Sequence, residues 1–473
     1  MSDSGAHILV FPYPAQGHMI PLLDFTHHLA TTRRLNFTIT ILVTPKNLPL
    51  LRPLLSLHPS ITPLVLPFPP HPSIPLGVEN TVDLPAGGFL SMMIALSTLR
   101  DPLLHWFRSH PSPPTAIISD MFLGWTHQLA GELNIRRYAF FPSGAFAISF
   151  VNCLWLHMPQ RKNNSDENEM IGFSEIPNSP FYPWWQLSPI YRSYVKGDPN
   201  SEFIRDTFLS NIASHGLVFN TFSELEGVYL DYLAKELGHN RVWPVGPLLP
   251  PNSTERGGSS SIMVHEISSW LDECEGHSVV YVCFGSQAVL TNKQMEELTL
   301  GLEKSGVKFI LSYKGATKGH VGGDRYGSIP DGFEARVAGT GVVIKGWAPQ
   351  VLILEHKSVC AFLTHCGWNS TLESIVAGVP MLAWPMGADQ FVNATLLVDQ
   401  LGVAVRVCEG AETVLESDEL SRFLVEATGE KWAERRARAR ELSKAAFDAI
   451  REGGSSVNGL DGFTKDLLEK GLM

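Results

Sequence analysis

The chain has 473 residues, and because a single hydrophobic core rarely grows beyond about 250–300 residues, this length predicts more than one domain. Acidic residues outnumber basic ones by 47 to 36, and the resulting net charge of −11 argues against a nucleic-acid-binding protein, which would carry a basic face. The sequence contains no apolar stretch of about 18 residues, so we predict no membrane span.

Strand-like and helix-like segments alternate through the first half of the chain. Short apolar runs predict strands, and the spacing of apolar residues at 20–30 predicts a helix. The predicted strands cover residues 7–12, 37–44, 61–67, 116–119, 137–141 and 216–220. Prolines in the third run place it at a sheet edge. The alternation as a whole indicates a mainly parallel α/β sheet.

Two stretches interrupt this pattern. Residues 160–198 are polar, rich in Pro and Trp and without a clear period, and we interpret them as a long surface excursion that forms a lid or a pocket wall. Residues 244–262 combine Pro, Gly and Ser and predict a linker. We therefore expect a first domain at 1–246, a linker at 247–262, a second domain at 263–455 and a carboxy-terminal helix at 456–473 that packs back on the first domain.

The α/β pattern restarts after the linker. Strands are predicted at 278–284, 308–313, 341–344, 359–365, 380–385 and 403–407, with a helix at 294–305 and a helical tail from residue 417. Doubly wound domains bind ligands at the carboxyl ends of their strands, so two such domains facing each other predict a cleft. A dinucleotide-dependent oxidoreductase would need G-x-G-x-x-G after a strand, and this motif is absent from the sequence.

The polar residues of the second half concentrate within residues 347–390. The strand at 359–365 ends at His365, a tight turn follows at 366–368, and a helix is predicted from Asn369 to Gly378, with capping-type residues at its start. A helix N-terminus binds phosphate through its unpaired N–H groups and its partial positive charge. Ser370 belongs to this N-terminus, and Glu373 lies one turn after Asn369, where a carboxylate can meet ribose hydroxyls.

The same stretch also offers groups for a base. Trp347 supplies an aromatic plane and Gln350 an amide. Each of these residues has an ordinary structural role as well, since a serine can cap a helix and a histidine or tryptophan can pack in a core. The prediction of a nucleotide site therefore rests on their occurrence together within 44 residues.

His18 and Asp120 form the corresponding constellation of the first half. His18 follows the first predicted strand in a glycine turn, and Asp120 ends the fourth strand. Because the carboxyl ends of parallel strands meet at one edge of a sheet, we expect the two side chains to lie together. A histidine oriented by a carboxylate can act as a general base toward a bound hydroxyl. Taken alone, the histidine could be merely structural and the aspartate a helix cap.

The sequence resembles the plant secondary-product UDP-glycosyltransferases, the family-one glycosyltransferases with the GT-B fold. The resemblance rests on WAPQ at 347–350, HCGWNS at 365–370, Glu373 and the DQ pair at 389–390. It extends to PAQGH at 14–18 and VYVCFGS at 280–286, and it covers nearly the whole chain. The family implies two facing Rossmann-like domains with an interdomain cleft, and inverting transfer of a sugar from a UDP-sugar.

The resemblance also assigns roles to individual residues. It implies that His18 is the base with Asp120 as its partner, that Trp347 stacks on uracil, and that Gln350 contacts uracil or ribose. The other donor residues are expected at the ribose, the diphosphate or the sugar: Ser286, His365, Trp368, Asn369, Ser370, Glu373, Asp389 and Gln390. In the family, glutamine at the last of these positions goes with glucose, so we predict UDP-glucose. UDP-rhamnose and UDP-galactose are the alternatives.

One strand departs from the family pattern. Members commonly carry a segment of the FIWVV type where this chain has FILSY at 309–313. Leu311 and Ser312 are therefore unusual, which affects the details of the donor pocket and not the reaction class.

The acceptor is expected over the first domain, near His18. Four aromatic residues are candidate pocket walls, although each could equally belong to an ordinary core: Phe122, Phe146, Trp184 and Phe203. The resemblance implies a small lipophilic alcohol, phenol or acid, such as a flavonoid, and formation of a glucose ester of a carboxylic acid is the close variant. An inactive nucleotide-sugar-binding protein is the alternative from another class, and the presence of both His18 and Asp120 argues against it.

Composition and motifs also bear on cofactors and compartment. No Asp-x-Asp motif occurs, so we expect no metal and no cofactor, the UDP-sugar being a co-substrate. The six cysteines lack C-x-x-C spacing, which predicts free thiols in a reducing compartment. The amino terminus lacks the basic region of a signal peptide. We therefore expect a cytoplasmic protein, and we expect it to be a monomer.

Overall fold

Two parallel β-sheets organise the chain. The computed structural model describes residues 6–32, 37–84, 88–249, 261–315 and 326–469. The chain divides into two compact units, the first comprising Met1–Pro251 with Ala449–Met473 and the second Asn252–Asp448. Residues 250–260 of the predicted linker lie outside the described residues.

The first unit contains a seven-stranded parallel sheet in the order β3-β2-β1-β4-β5-β8-β9. The strands of this unit are β1 His7–Phe11, β2 Thr38–Val43, β3 Thr62–Val65, β4 Ala116–Asp120, β5 Arg136–Phe141, β6 Met170–Gly172, β7 Phe181–Pro183, β8 Gly216–Phe219 and β9 Val242–Pro244. Its central strands are buried along their whole length, as expected for strands covered by helices on both faces. The proline-containing strand β3 lies at the sheet edge, which confirms the prediction.

Helices cover this sheet. They are α1 Gln16–Thr31, α2 Arg52–Leu57, α3 Phe89–Ser97, α4 Arg100–Ser109, α5 Thr126–Glu132, α6 Ala145–His157, α7 Pro189–Arg192, α8 Pro199–Ile212 and α9 Ser223–Leu237. Helix α1 begins at Gln16, so His18 lies in the first turn of a helix and not in the predicted glycine turn.

The interpretation of residues 160–198 as an excursion over the surface is wrong in part. Strands β6 and β7 pair in an antiparallel ladder within this segment, and α7 follows them. Tyr182, Trp184 and Tyr191 of the segment are buried. Aromatic packing therefore anchors a stretch whose sequence shows no clear period.

The second unit contains a six-stranded parallel sheet in the order β12-β11-β10-β13-β14-β15. Its strands are β10 Val279–Cys283, β11 Lys308–Tyr313, β12 Gly341–Lys345, β13 Val359–Thr364, β14 Met381–Ala383 and β15 Ala404–Arg406. Its helices are α10 Val264–Asp272, α11 Asn292–Ser305, α12 Phe333–Arg336, α13 Gln350–Glu355, α14 Trp368–Ala377, α15 Gln390–Thr395, α16 Ser417–Thr428 and α17 Ala433–Ala449. Each predicted strand of this half is present within two residues of its expected ends.

The last helix, α18 Ser455–Leu468, belongs to the first unit. Its Phe463 is fully buried and packs against the rings of Phe25, Tyr138 and Trp243 in the core of that unit. None of the helices described is both long and apolar enough to span a bilayer.

Candidate active site

Helix α1 and strand β4 bring His18 and Asp120 together in the first unit. Strand β1 pairs with β4, so the segment after β1 and the end of β4 lie at the same edge of the sheet. The Nδ1 atom of His18 is 2.9 Å from Oδ2 of Asp120, and the side chains are 17% and 0% exposed respectively. The two residues, 102 positions apart in sequence, therefore form a hydrogen-bonded pair whose imidazole edge reaches the surface.

The partners of Asp120 determine which histidine nitrogen carries the proton. Its Oδ1 accepts a hydrogen bond from the backbone N–H of Phe122 at 2.9 Å, while Oδ2 faces His18. A carboxylate in this arrangement is an acceptor only, so Nδ1 of His18 is the donor. The lone pair of the neutral imidazole then resides on Nε2, which is the atom that can accept a proton from a substrate.

Aromatic rings surround this pair. The ring of Phe122 lies 4.6 Å from that of His18, and the buried Tyr13 contacts both rings edge-on. Tyr13 donates to the backbone oxygen of Phe89, and burial together with the nearby Asp120 charge raises its pKa, so it remains a neutral phenol. Tyr13 and Phe89 were absent from the sequence-based site, although Tyr13 stands between two prolines directly after β1.

The four predicted acceptor-wall residues separate into different environments. Phe122 adjoins His18, and Phe203 is half-buried on α8. Phe146 is 1% exposed and stacks on Tyr229 at 4.3 Å, so the structure assigns it to the core. Trp184 is buried beneath the guanidinium of Arg161, 4.7 Å from its ring centroid. Both rings are thus packed among other side chains, and their role as walls of the acceptor pocket stays a prediction.

A buried arginine lies behind the pair. Arg137 of β5 is 1% exposed, and its guanidinium donates to Ser119 Oγ and to the backbone oxygen of Asp120. It also donates to Asn211 Oδ1 and Ser214 Oγ. Burial lowers its pKa to about 9, and the charge of Asp120 opposes this shift. The sequence showed only an arginine at the start of a predicted strand, and nothing in it indicated that this side chain lies next to Asp120.

In the second unit, residues 365–370 of the sequence box lie at the turn between β13 and α14 and at the start of α14. Helix α14 begins at Trp368, and Gly367 occupies its N-cap position without a side-chain cap, so the predicted polar cap at Asn369 is wrong. A glycine is needed there because a Cβ on Gly367 would lie 2.4 Å from Nε2 of His365. The helix ends at Ala377, and Gly378 follows in the left-handed conformation, as predicted.

Ser370 and Glu373 meet Gln350 at the start of α14. The Nε2 of Gln350 donates to Ser370 Oγ at 2.9 Å and to Glu373 Oε2 at 2.7 Å. Its Oε1 accepts from the hydroxyl of Tyr281, at 3.2 Å. The carboxylate can only accept, which fixes the orientation of the glutamine amide. The structure thus groups three of the predicted residues and adds Tyr281, which the sequence analysis missed because it lies inside a strand.

His365 is held between two glycines at the end of β13. A Cβ on Gly285, whose φ is +75°, would lie 2.6 Å from the ring, so both neighbours must lack a side chain. Burial lowers the pKa of His365 to about 4, which leaves a neutral imidazole. Within the described part of the chain its buried Nδ1 has no hydrogen-bond partner. The ring can therefore donate or accept a hydrogen bond but does not supply a positive charge at neutral pH.

The remaining predicted donor residues lie on the loops around this turn. Ser286 follows Gly285, and its backbone oxygen accepts from Lys314 Nζ at 2.9 Å. Gln390 begins α15, directly after Asp389, and its Oε1 accepts from the backbone N–H groups of Met386 and Gly387 at 2.8 and 3.0 Å.

Three further residues complete the description of these loops. Trp347 is half-buried before α13, Trp368 is buried, and Asn393 of α15 donates to the backbone oxygen of Cys366 at 2.9 Å. Asn393, which the sequence analysis missed, ties α15 to the turn.

The unusual FILSY strand lies inside the second sheet. Leu311 and Ser312 are buried in β11, and Ser312 is the partner of Cys283 on β10. The side chain of Ser312 therefore faces the same side of the sheet as Cys283 and Tyr281. The departure from the family pattern thus falls beneath Gln350. Among the described residues, no group of three or more His, Cys, Asp or Glu side chains is arranged to hold a metal ion.

Comparison with known proteins identifies the family. The family model described as UDP-glucoronosyl and UDP-glucosyl transferase matches residues 253–423. The chain is 58% identical to UDP-glycosyltransferase 89B2 of Stevia rebaudiana, over 98% of each chain. It is 55% identical to flavonol 3-O-glucosyltransferase UGT89B1 of Arabidopsis thaliana, over 98% of this chain and 97% of that relative.

Solved structures agree with these relatives. The crystal structure of Arabidopsis thaliana UGT89C1 complexed with UDP-L-rhamnose superimposes with a TM-score of 0.80 at 39% identity, covering 98% of this chain and 99% of that one. Two Rossmann-like parallel-sheet domains, the box at the start of α14 and relatives that match over the full length lead to one conclusion. The chain belongs to the plant family-one UDP-glycosyltransferases and is an enzyme of the GT-B fold.

Proposed function

We propose that this UDP-glycosyltransferase moves glucose from UDP-glucose to a hydroxyl of a small lipophilic phenol, such as a flavonoid, with His18 as the general base. The observation that carries the proposal is the hydrogen bond of 2.9 Å between His18 Nδ1 and the fully buried Asp120. It leaves Nε2 as the basic atom of an imidazole whose edge reaches the surface beside the ring of Phe122. An aromatic neighbour is suited to a flat phenolic acceptor.

The proposed reaction is a single displacement. Nε2 of His18 takes the proton of the acceptor hydroxyl as its oxygen attacks the anomeric carbon. The new glycosidic C–O bond forms while the bond between that carbon and the diphosphate oxygen breaks, so configuration inverts and UDP leaves with the electron pair. Asp120 stabilises the imidazolium that results. General base catalysis of this kind contributes roughly 10²–10⁴-fold in rate.

The donor residues would act on the leaving group and the sugar. The N–H groups at the start of α14, the hydroxyl of Ser370 and the neutral His365 would stabilise the diphosphate. Glu373, oriented by Gln350, would bind the ribose, and Trp347 would stack on uracil. The turn at Ser286 would also face the diphosphate. Asn369 would lie at the start of the helix, and Trp368, Asp389 and Gln390 would meet the sugar.

Glucose is supported by Gln390 and by the relatives' names. The relative at 55% identity is a flavonol 3-O-glucosyltransferase. UGT89C1, at 39% identity, is known in complex with UDP-L-rhamnose, and a relative at 41% identity is a flavonol 7-O-rhamnosyltransferase. UDP-rhamnose is therefore the strongest alternative donor, ahead of UDP-galactose, and glucose ester formation is the alternative for an acceptor with a carboxyl group.

We further propose that the reaction proceeds without a metal or another cofactor. The dipole of α14 and its N–H groups would stabilise the negative charge of the diphosphate, which a metal ion neutralises in other transferases. All six cysteines are free thiols, which supports a reducing, cytosolic location. Action as a monomer stays a prediction.

The test is UDP release from UDP-glucose, UDP-rhamnose and UDP-galactose with a panel of flavonols, simple phenols and aromatic acids. The wild type is compared with His18→Ala and with His27→Ala, a matched control on the same helix. We expect UDP-glucose with flavonols to be the best pair, His18→Ala to lose about 10²–10⁴-fold and His27→Ala to retain activity. UDP-dependent stabilisation in a melting assay shows that His18→Ala remains folded.

Each component of the proposal can fail separately. Equal turnover by the wild type and His18→Ala would refute the general base. A larger kcat/KM with UDP-rhamnose would refute glucose. Absence of turnover with every acceptor, despite binding of UDP, would favour a nucleotide-sugar-binding protein without catalytic activity.

A further inference from the structure

We propose that Arg137 is a positioning residue whose buried positive charge keeps Asp120 ionised and thereby sets the pH range in which His18 works as a base. The inference rests on the proposed function, because it concerns how the His18–Asp120 pair is tuned. Neither the family comparison nor the sequence motifs assign a role to this residue.

The geometry of Arg137 is that of a fixed internal cation. Its Nε donates to Ser119 Oγ at 2.9 Å, and Nη1 donates to Asn211 Oδ1 at 2.8 Å and to Ser214 Oγ at 2.7 Å. Its Nη2 donates to the backbone oxygen of Asp120 at 3.3 Å. All of these acceptors are uncharged oxygens. In the described part of the chain, no carboxylate forms a direct ion pair with this guanidinium.

Asp120 is the charge that Arg137 compensates. The carboxylate is 0% exposed, and an isolated buried carboxylate would take up a proton to avoid desolvation. Its two oxygens receive hydrogen bonds from Nδ1 of His18 and from the N–H of Phe122. Arg137 adds a full opposite charge on the side away from His18, since it contacts the backbone of Asp120 and the neighbouring Ser119. An opposite charge nearby favours the ionised form of a carboxyl group.

Two further titratable groups among the described residues lie near the pair and are neutral at neutral pH. Tyr13, in the segment after β1, has a pKa raised by burial and by Asp120. His127, on α5, has a pKa lowered by burial and by the charge of Arg137. Helix α3 contributes Phe89, helix α8 contributes Phe208 and Asn211, and Ser214 follows α8; none of these side chains titrates. The charge on Arg137 therefore acts on the pair without a competing ion among these neighbours.

The expected consequence is a balance between two opposing effects. Asp120 attracts a proton onto His18, and Arg137 weakens that attraction. Without the positive charge of Arg137, the His18–Asp120 pair would keep its proton up to a higher pH. The imidazole would then already be protonated when the acceptor binds and could not take up the acceptor's proton. Arg137 thus keeps the base free at neutral pH, while Asp120 still stabilises the imidazolium formed during the reaction.

The experiment measures kcat/KM for UDP-glucose and one phenol between pH 5.5 and 9.5, because this profile reports ionisations of the free enzyme. In Arg137→Gln we expect the acid limb to move up by about one pH unit, which means a roughly tenfold loss at pH 6 and recovery above pH 9. Arg137→Lys should restore the wild-type position of the limb. Ser214→Ala removes a neutral acceptor but keeps the cation, and its limb should stay in place. The same phenol is used throughout, so its own ionisation cancels in the comparison.

Asn211→Asp is a second variant that tests the same inference if Arg137→Gln fails to fold. This variant places a carboxylate against Nη1 and neutralises the charge without removing the guanidinium, so its acid limb should move in the same direction. An unmoved limb in Asn211→Asp, or a loss in Arg137→Gln that is equal at every pH, would overturn the inference. His18→Ala separates the two proposals: activity in that variant refutes the general base, whereas an inactive His18→Ala with unshifted profiles refutes only the role of Arg137.

Discussion

At the scale of single residues, two histidines illustrate how environment selects chemistry. His18 lies next to a buried carboxylate and keeps one edge at the surface. His365 lies between the backbones of Gly285 and Gly367, and burial lowers its pKa to about 4. The first arrangement suits proton transfer, and the second suits a fixed neutral hydrogen-bonding group. The same side chain is therefore suited to two different uses in one chain.

Gln390 permits a prediction at this scale. Its Oε1 accepts from the N–H groups of Met386 and Gly387, which directs the amide NH₂ away from that loop. Gln390→Glu keeps the acceptor and loses the NH₂ donor, so we expect KM for UDP-glucose to rise about tenfold with the loop intact. Gln390→His, which loses the loop hydrogen bonds as well, should weaken use of UDP-glucose further. Steady-state kinetics with the three UDP-sugars checks both variants, and unchanged UDP-glucose kinetics in both would remove Gln390 as a basis for predicting glucose.

At the scale of secondary-structure elements, the proposed donor site depends on a contact between one strand and two helices. Tyr281 projects from β10 to Gln350 at the start of α13, and Gln350 reaches Ser370 and Glu373 on α14. Burial raises the pKa of Tyr281, so its hydroxyl remains a donor. The strand therefore orients the amide that in turn orients the carboxylate of Glu373.

Tyr281→Phe tests this arrangement. Loss of one hydrogen bond is worth about 0.5–1.5 kcal/mol, so we expect the Kd for UDP to rise about 2–10-fold with little change in kcat. Isothermal titration with UDP gives the affinity directly. Tyr313→Phe, the same change on the neighbouring strand β11, serves as the matched control. An equal effect of the two substitutions would show that Tyr281 does not position Gln350.

At the scale of the whole molecule, the carboxy-terminal helix completes the first unit. Asp466 of α18 accepts from Tyr138 and from His215 Nε2, the latter at 3.0 Å, and Arg136 lies beside it. Burial opposes ionisation of Asp466, but the hydrogen bonds from His215 and Tyr138 and the charge of Arg136 outweigh it and lower the pKa below its ordinary value of 3.8. The last helix therefore stabilises a sheet whose strands come from the opposite end of the chain.

Asp466→Asn should lower the melting temperature at pH 7, corresponding to a loss of roughly 1–3 kcal/mol for a charged hydrogen-bonded group. Because the folded-state pKa is depressed, this stabilisation is present above pH 3.8 and declines as the pH falls further. The difference from wild type should accordingly narrow below that pH. Asp461→Asn changes an exposed residue of the same helix and should be neutral. Equal melting temperatures for the two variants at pH 7 would contradict the role of Asp466.

The sequence by itself determined the α/β pattern, the positions of most strands in the two large sheets and the pairing of His18 with Asp120. These follow from local apolar periodicity and from the rule that parallel strands end at one edge of a sheet. The glycine-containing box at 365–370 could also be recognised from the sequence, because its residues are neighbours in the chain. Gly378 could be recognised as the helix stop for the same reason.

Apart from the His18–Asp120 pair, only the tertiary structure decided which side chains meet across elements. Arg137 and Tyr281 are ordinary residues inside strands, and their importance comes from the neighbours that sheet register and helix packing give them. The same applies to the choice between Phe122, which adjoins His18, and Phe146, which packs on Tyr229. Local sequence encodes backbone conformation and burial over a few residues, whereas most side-chain contacts between different elements depend on how complete elements pack.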